Sequence, residues 1–306
     1  MNFKPLAGDG DASMYRFVVP MLFLVIGCGG RQSALMQAPV AQAPSDSAKA
    51  EKLASEAKAL WSERDKLEKA NAAIAKWKAA AKADATNPIY HRELTYAYYF
   101  LNNVHYRWTD NRPMVKKNYE YGVAAAEKAL ALSNPAFAGQ IKSGSDTDAV
   151  WKKALESATK EDVKALYWYA TNLAKWALNN GITSLLKYKD RALLIIERCQ
   201  TLDASFWYGG PARYLGAYWY KIPFGKDPAK SRANFEAAVA VDSTYLDSKV
   251  LFAETYAVRA EDEALFKKLL TEVIEADAGA NPDLIPENKN AQRIAKEMLE
   301  NMDEIF

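Results

Sequence analysis

The sequence predicts an all-α protein whose helices form a helical-repeat solenoid with irregular insertions. Three observations predict it. Beyond Ala48, the helix-favouring residues Ala, Leu, Lys and Glu dominate, and the strict alternation typical of strands is absent. Gly and Pro occur at intervals that suit helix ends. Similar helix-end patterns recur 39 residues apart, at Asp203 and Asp242, and 35 residues apart, at Asp242 and Asp277.

The N-terminal segment predicts export followed by lipidation. Residues 17–27 are strongly apolar, Arg16 precedes them and Cys28 follows at once. Eleven residues are too few for a transmembrane helix, which needs roughly 20, but they suit a signal peptide. We therefore assign residues 1–27 to a signal peptide and Cys28 to lipidation at a bacterial lipobox. The alternative is a buried N-terminal strand that happens to end in cysteine.

The rest of the chain divides into a tether and a folded body. Residues 28–48 are rich in Gly, Ala, Gln, Ser and Pro and have no periodic apolar pattern, which predicts a flexible tether. Residues 49–306 are assigned to one α-helical repeat domain. Helix boundaries are predicted at Asn87-Pro88, Asn134-Pro135, Gly181 and Asp227-Pro228, with a capping box over residues 159–162.

A weak internal repeat supports the solenoid. When helix ends are aligned on Asp84, Leu132, Asp203, Asp242 and Asp277, an apolar residue stands seven positions before each of them. The spacing lies near the roughly 34 residues of a tetratricopeptide unit. Such units cannot bury their apolar faces alone, so they stack into one curved body with a concave binding side.

The composition argues against several functions. Forty basic residues are interleaved with 38 acidic ones, so a nucleic-acid partner is not expected. His91 and His105 stand without a Cys or HExxH frame, and no nucleotide-binding or hydrolase motif occurs. We therefore expect no enzyme, no metal and no cofactor, and we assign His91 to packing or capping.

Two aromatic stretches carry the candidate ligand site, residues 165–176 and 206–224. Tyr and Trp offer a large contact area with a polar tip, as ligand-lining residues often do, so these stretches predict a pocket or tunnel. In the second stretch Arg213 could meet an organic carboxylate; the alternative is a structural pairing with a Glu of a neighbouring helix. For any single aromatic residue, the alternative is filling space between repeats. The candidate ligand-binding residues are Tyr167, Trp168, Tyr169, Trp176, Trp207, Tyr208, Gly209, Gly210, Arg213, Tyr214 and Tyr218.

Several segments together resemble a known family. The lipobox, ALYWYATNLAKW from Ala165, GGPARYLG from Gly209 and the segment from Asp227 to Asp277 are similar to the T component (TatT family) of tripartite ATP-independent periplasmic (TRAP) transporters. The resemblance implies a lipid-anchored, non-catalytic, tetratricopeptide-like protein on the periplasmic side of the bacterial envelope. The outer membrane is one membrane that could carry its anchor. It also implies a homotrimer whose protomers are each pierced by a tunnel. Its partners would be the substrate-binding P component and a small organic or hydrophobic ligand.

Two other functions remain open at this stage. The first is a generic tetratricopeptide scaffold that assists envelope protein assembly through protein contacts alone; a solid core without a cavity would favour it. The second is an enzyme whose polar groups converge only in three dimensions, for instance His91 near a carboxylate. The loop at residues 221–227 is shorter than the family pattern, which leaves the shape of any tunnel mouth open.

Overall fold

The described part of the chain is helical throughout. The structure, a computed structural model, describes Arg31, residues 33–36, 45–144 and 146–306. It contains α-helices and short 3-10 and π segments, and the described residues form no strand. The all-α prediction is therefore confirmed. The signal peptide and Cys28 lie outside the described residues, and the repeat solenoid and the division into signal, tether and body stay predictions.

Fourteen α-helices follow one another in the described residues. Their bounds are α1 Ser47–Trp61, α2 Leu67–Ala83, α3 Pro88–Phe100, α4 Arg112–Ser133, α5 Pro135–Ser143, α6 Asp148–Leu155, α7 Val163–Asn180, α8 Ile182–Leu202, α9 Phe206–Lys221, α10 Pro228–Val241, α11 Asp247–Phe252, α12 Glu263–Glu275, α13 Ile285–Glu300 and α14 Met302–Ile305. Two π-helical segments, Leu101–His105 and Ala253–Ala257, continue α3 and α11.

The helices begin where side chains cap their free N–H groups. The Asn87 side chain accepts from the Ile89 N–H at the start of α3, and the Asp227 side chain accepts from the Lys230 N–H at the start of α10. In both helices a proline follows the cap, where its missing N–H costs nothing. The predicted boundaries at Asn87 and Asp227 are thus confirmed.

Consecutive helices pack as pairs: α1 with α2, α3 with α4, α7 with α8, and α9 with α10. All of them belong to one compact unit, residues 32–306. The largest apolar cluster is centred on α4 and α7, and a second one joins α10 to α14. Helix α7 is central because it contacts α3, α4, α8 and α9, and it is buried along most of its length. No described helix has the length and apolar character that crossing a bilayer requires.

Part of the segment that the sequence assigns to the tether lies against α4. Ala34–Met36 forms a 3-10 turn in which Leu35 is buried. The Ser33 hydroxyl and the Ala34 N–H donate to the two carboxylate oxygens of Glu127, both at 2.8 Å. A buried carboxylate needs such donors, so Glu127 and this turn stabilise each other.

The two ends of the described body are joined by one buried ion pair. Arg64, between α1 and α2, donates to Glu287 of α13 at 2.8 and 3.0 Å, although 223 residues separate them in sequence. The Tyr96 hydroxyl also donates to Glu287. The C-terminal helices are thereby fixed to the N-terminal ones.

Candidate functional site, an aromatic and cationic cavity

A cavity that is partly open to solvent lies between α7 and α9. Its lining also includes residues from the end of α3, the start of α8 and the segment around α11. Most of the lining is apolar or aromatic, and charged side chains enter it at a few points. A concave, mainly apolar surface with a few polar groups is typical of a small-molecule site.

Helix α7 contributes one stripe of the lining. Its members are Tyr167, Thr171, Ala174, Lys175, Ala177 and Leu178, which recur at the helical spacing of three to four residues. Tyr167 is 4% exposed, whereas Leu178 is 46% exposed. The cavity therefore has a buried end at the level of Tyr167 and an open end at the level of Leu178.

Helix α9 contributes the facing stripe: Arg213, Tyr214, Ala217, Tyr218 and Lys221. Helix α8 packs on both α7 and α9 and is joined to each by a short turn, so α7 and α9 run in the same direction. An Arg213 N–H donates to the Tyr167 hydroxyl at 3.3 Å, which fixes the two stripes at a common level. Lys175 and Lys221 each lie eight residues further along.

The cavity lining as a whole carries an excess of positive charge. The lining contains five cationic side chains (Arg107, Lys175, Lys189, Arg213, Lys221) and two acidic ones (Asp247, Glu254). Burial, and next the charge of Lys175, lower the pKa of Lys221 to about 8. Burial opposes the ionisation of Glu254, but the neighbouring cations outweigh it and lower its pKa. An anionic group would find favourable electrostatics here.

A left-handed turn precedes the α9 stripe. Trp207, Tyr208 and Gly209 all have positive φ (49°, 55° and 75°), which is unfavourable for the two aromatic residues. Arg213 N–H groups donate to the carbonyl oxygens of Trp207 at 3.2 Å and Tyr208 at 3.1 Å. The Tyr208 ring stacks on Tyr245 with centroids 5.4 Å apart. These contacts hold the turn in place beside the buried end of the cavity.

Both glycines of this turn are required by close approach. A Cβ on Gly209 would lie 2.9 Å from the Ala238 carbonyl oxygen, and one on Gly210 would lie 2.8 Å from the Tyr167 ring. The backbone of α9 therefore comes close enough to α7 and α10 for Tyr167 to reach Arg213.

The candidate ligand residues fall into three groups. Tyr167, Arg213, Tyr214 and Tyr218 line the cavity. Trp168, Tyr169 and Trp176 are at most 4% exposed, pack in the main apolar cluster and lie outside the lining. Their positions follow from the orientation of α7, which directs its other face to α3, α4 and α8. The turn residues Trp207, Tyr208, Gly209 and Gly210 support the wall and do not line the cavity.

Arg213 is neither free for a ligand nor paired with a glutamate. Besides the two turn carbonyls and Tyr167, it donates to the Ser248 hydroxyl at 3.1 Å. The four N–H groups of its terminal nitrogens thus have partners within the protein. Its contribution to the site is to hold α7, the left-handed turn and α11 together.

Sequence reasoning identified Arg213 but missed the other charged lining residues. Lys175 lies inside the aromatic stretch 165–176. It comes eight residues, about two helical turns, after Tyr167 and therefore lies on the same face of α7. Lys221 follows from Tyr214 and Tyr218 in the same way. Asp247, Glu254 and Arg107 gave no such signal because they come from distant segments. Two of the missed residues, Asn103 and Glu254, lie on the π segments, which often mark functional positions.

The histidines lie away from the cavity lining. His105 Nε2 is 2.8 Å from the Arg64 carbonyl oxygen, and burial, with the charge of Lys128, lowers the pKa of His91 to about 4. Among the described residues, no three His, Cys, Asp or Glu side chains are placed to share a metal ion. The arrangement is suited to holding a molecule by contact, charge and hydrogen bonds.

The fold and the cavity together define an all-helical protein with an aromatic, cation-rich cavity. A profile of the TRAP transporter T-component family matches residues 94–306, more than two thirds of the chain. The chain therefore belongs to this family, which confirms the resemblance, and it is a component associated with a TRAP transporter. Its place is accordingly the cell envelope. No curated protein matches the chain.

Proposed function

We propose that the protein is the non-catalytic T component that holds or passes a small organic anion with an apolar body. In this proposal Cys28 carries the lipid anchor on the periplasmic side of the envelope, and the protein assembles as a homotrimer. A periplasmic P component docks on it and exchanges the ligand through the cavity between α7 and α9. The observation that carries the proposal is this cavity, with aromatic side chains along its walls and lysines towards its open end.

Two lysines of the lining favour an anionic ligand over a neutral one. Within the described part of the chain, neither Lys175 nor Lys221 has a carboxylate within ion-pair distance, whereas Arg107 lies 3.8 Å from Glu254. Two unpaired ammonium groups in a mostly apolar cleft repel each other and are costly to desolvate. A carboxylate bound between them relieves both penalties. Tyr214 and Tyr218, on the same stripe as Lys221, would contact the apolar body of the ligand.

The open end offers a surface for the P component. Leu178 lines the cavity and is also exposed, and Ile182, at the start of α8, is 59% exposed. Phe224 follows the lining residue Ile222 and is 74% exposed. Exposed apolar side chains around a mouth are typical of a protein contact site. We assign docking to this rim, where the ligand would enter or leave.

Titration calorimetry of the full-length protein with decanoate tests the cavity. We expect decanoate to bind, and Lys175→Gln and Lys221→Gln each to weaken binding about tenfold, since a charged hydrogen bond contributes about 1.5–3 kcal/mol. Lys226→Gln is the matched control because Lys226 is exposed on the loop outside the lining. It should bind as the unchanged protein does.

The result that contradicts the proposal is equally clear. If decanoate and related acids do not bind, or if the Lys226 variant loses as much affinity as the cavity variants, the cavity is not the ligand site. A scaffold that acts through protein contacts alone would then be the better explanation.

A further inference from the structure

The buried end of the cavity contains an acidic side chain that has no partner. Asp247, the first residue of α11, lines the cavity. Within the described part of the chain its carboxylate forms no hydrogen bond and no ion pair. Burial raises its pKa, and Arg213 is the first of the cations that oppose this. Asp247 is half-buried, and a carboxylate that is partly withdrawn from water without a protein donor costs free energy.

The cation that acts most strongly on Asp247 has committed its terminal N–H groups to other acceptors. Arg213, the cation that acts on it most, uses its terminal N–H groups on Trp207, Tyr208, Tyr167 and Ser248. Ser248 itself follows Asp247 in the chain and accepts from Arg213, which places Asp247 at the level of the guanidinium. The acceptor therefore faces the cavity, where a donor of a bound molecule can reach it.

The helical spacing between the level of this acceptor and the level of the lysines sets the length of a ligand that could meet both. Lys175 lies eight residues beyond Tyr167 on α7, and Lys221 lies eight residues beyond Arg213 on α9. At 1.5 Å per residue the backbone positions of the lysines lie about 12 Å along the helix axes from those of Tyr167 and Arg213, and the charge of Lys175 still acts on Asp247. Between the two levels the walls are formed by Thr171, Ala174, Tyr214, Ala217 and Tyr218.

We infer that the cavity selects organic acids that carry a hydroxyl group at the end opposite the carboxylate, with Asp247 as the acceptor of that hydroxyl. The carboxylate would lie between Lys175 and Lys221, and an apolar chain of about 12 Å would contact the tyrosines. A hydroxyl fits better than an ammonium group because Arg213 already places a positive charge beside Asp247. This inference rests on the proposed function, since it concerns the same cavity.

The test compares two probes that differ by one oxygen atom. In calorimetry of the full-length protein, 10-hydroxydecanoate should bind at least tenfold more tightly than decanoate, because only 10-hydroxydecanoate offers a hydrogen-bond donor to Asp247. With 4-hydroxybutanoate, which is too short to reach from the lysines to Asp247, the hydroxyl should give no gain over butanoate. This comparison needs no variant and so does not depend on how a variant folds.

Asp247→Ala, which removes both acceptor oxygens, then assigns the preference to this side chain. The variant should lose most of the tenfold preference and keep its affinity for decanoate, whereas Asp303→Ala, an exposed control on α14, should keep the preference. Equal affinity of the unchanged protein for both ten-carbon probes would overturn the inference while leaving lysine-dependent decanoate binding, and with it the proposed function, intact. Absence of binding by both probes would refute the proposed function and this inference together.

Discussion

Lys221 combines two properties that seldom coincide in one side chain. It is a charged residue in a mostly apolar cavity, and its closest electrostatic neighbours include a second lysine. Both properties disfavour the ammonium form, which is why the pKa of Lys221 falls from 10.5 to about 8. In the unfolded chain the pKa returns to the ordinary value, so this lysine links the stability of the fold to pH.

The sign of that linkage gives a prediction for stability. Between pH 8 and pH 10.5 the unfolded chain binds more protons at this position than the folded chain, so the free energy of unfolding should rise with pH from this group. Lys221→Met keeps the apolar stem and removes the charge. We expect it to stabilise the protein by about 1 kcal/mol at pH 7 and to flatten this rise.

Urea denaturation at pH 7 and at pH 9.5 checks this expectation. Lys226→Met on the neighbouring exposed loop is the control and should change neither value by more than about 0.5 kcal/mol. A Lys221→Met protein that is less stable at pH 7 would show that the ammonium group is satisfied within the fold.

At the scale of elements, the sequence predicted which helices form the site better than it predicted their faces. Both aromatic stretches lie on α7 and α9, and Tyr167, Tyr214 and Tyr218 line the cavity. Trp168 and Trp176 do not, because α7 is apolar around most of its circumference and periodicity cannot say which apolar side faces a cavity. The left-handed turn at Trp207 and Tyr208 could not be predicted from the sequence either, since aromatic residues disfavour positive φ.

The packing of α9 on α10 gives a prediction at this scale. Gly216 lets the two helices approach, and a Cβ there would lie 2.7 Å from the ring of Phe235, which is fully buried. Gly216→Ala should therefore destabilise the protein by about 1–3 kcal/mol in spite of the better helix propensity of alanine.

Gly139→Ala on α5 is the matched control for that substitution. A Cβ at Gly139 meets no atom within 4 Å, so only the propensity term remains and we expect a gain of about 0.5–1 kcal/mol. Thermal and urea unfolding measure both variants. Two gains of the same size would mean that α9 and α10 can separate without cost.

At the scale of the whole molecule, a few side chains connect distant parts of the chain. The Arg64–Glu287 pair is the longest-range ion pair of the described residues, and Asn290 adds to it by accepting from the Trp108 indole N–H at 3.0 Å. Glu287→Gln keeps an acceptor for Tyr96 but leaves Arg64 without a counter-charge. The free energy of unfolding should fall by about 3 kcal/mol, since removing one charge of a buried pair leaves the other charge buried and unpaired.

A double-mutant cycle separates this pair from its surroundings. Arg64→Met combined with Glu287→Gln should lose less than the sum of the two single losses. The exposed pair of Glu263 and Lys267 serves as the reference, and Glu263→Gln should stay within about 0.5 kcal/mol. Additive losses at Arg64 and Glu287 would show that the pair is not coupled.

Composition and helix punctuation were sufficient to predict an all-α chain, because caps such as Asn87 and Asp227 act locally. The long-range features were not accessible in this way. Nothing near Arg64 in sequence indicates Glu287, and nothing near Tyr167 indicates Asp247. Which residues become neighbours is decided by how the helices pack, and these neighbours are ordinary charged residues whose types occur throughout the chain.

Which polar side chains line the cavity depends on one extra residue in each of the two π segments. Each contains one residue more per turn than an α-helix needs, and Asn103 and Glu254 reach the cavity from them. Deleting one residue before Asn103 or before Glu254 within its segment would turn that side chain by about 100° around the helix axis. The polar side chain would then leave the cavity while the α-helix before it kept its pattern, so single-residue deletions here offer a way to change the lining of the cavity.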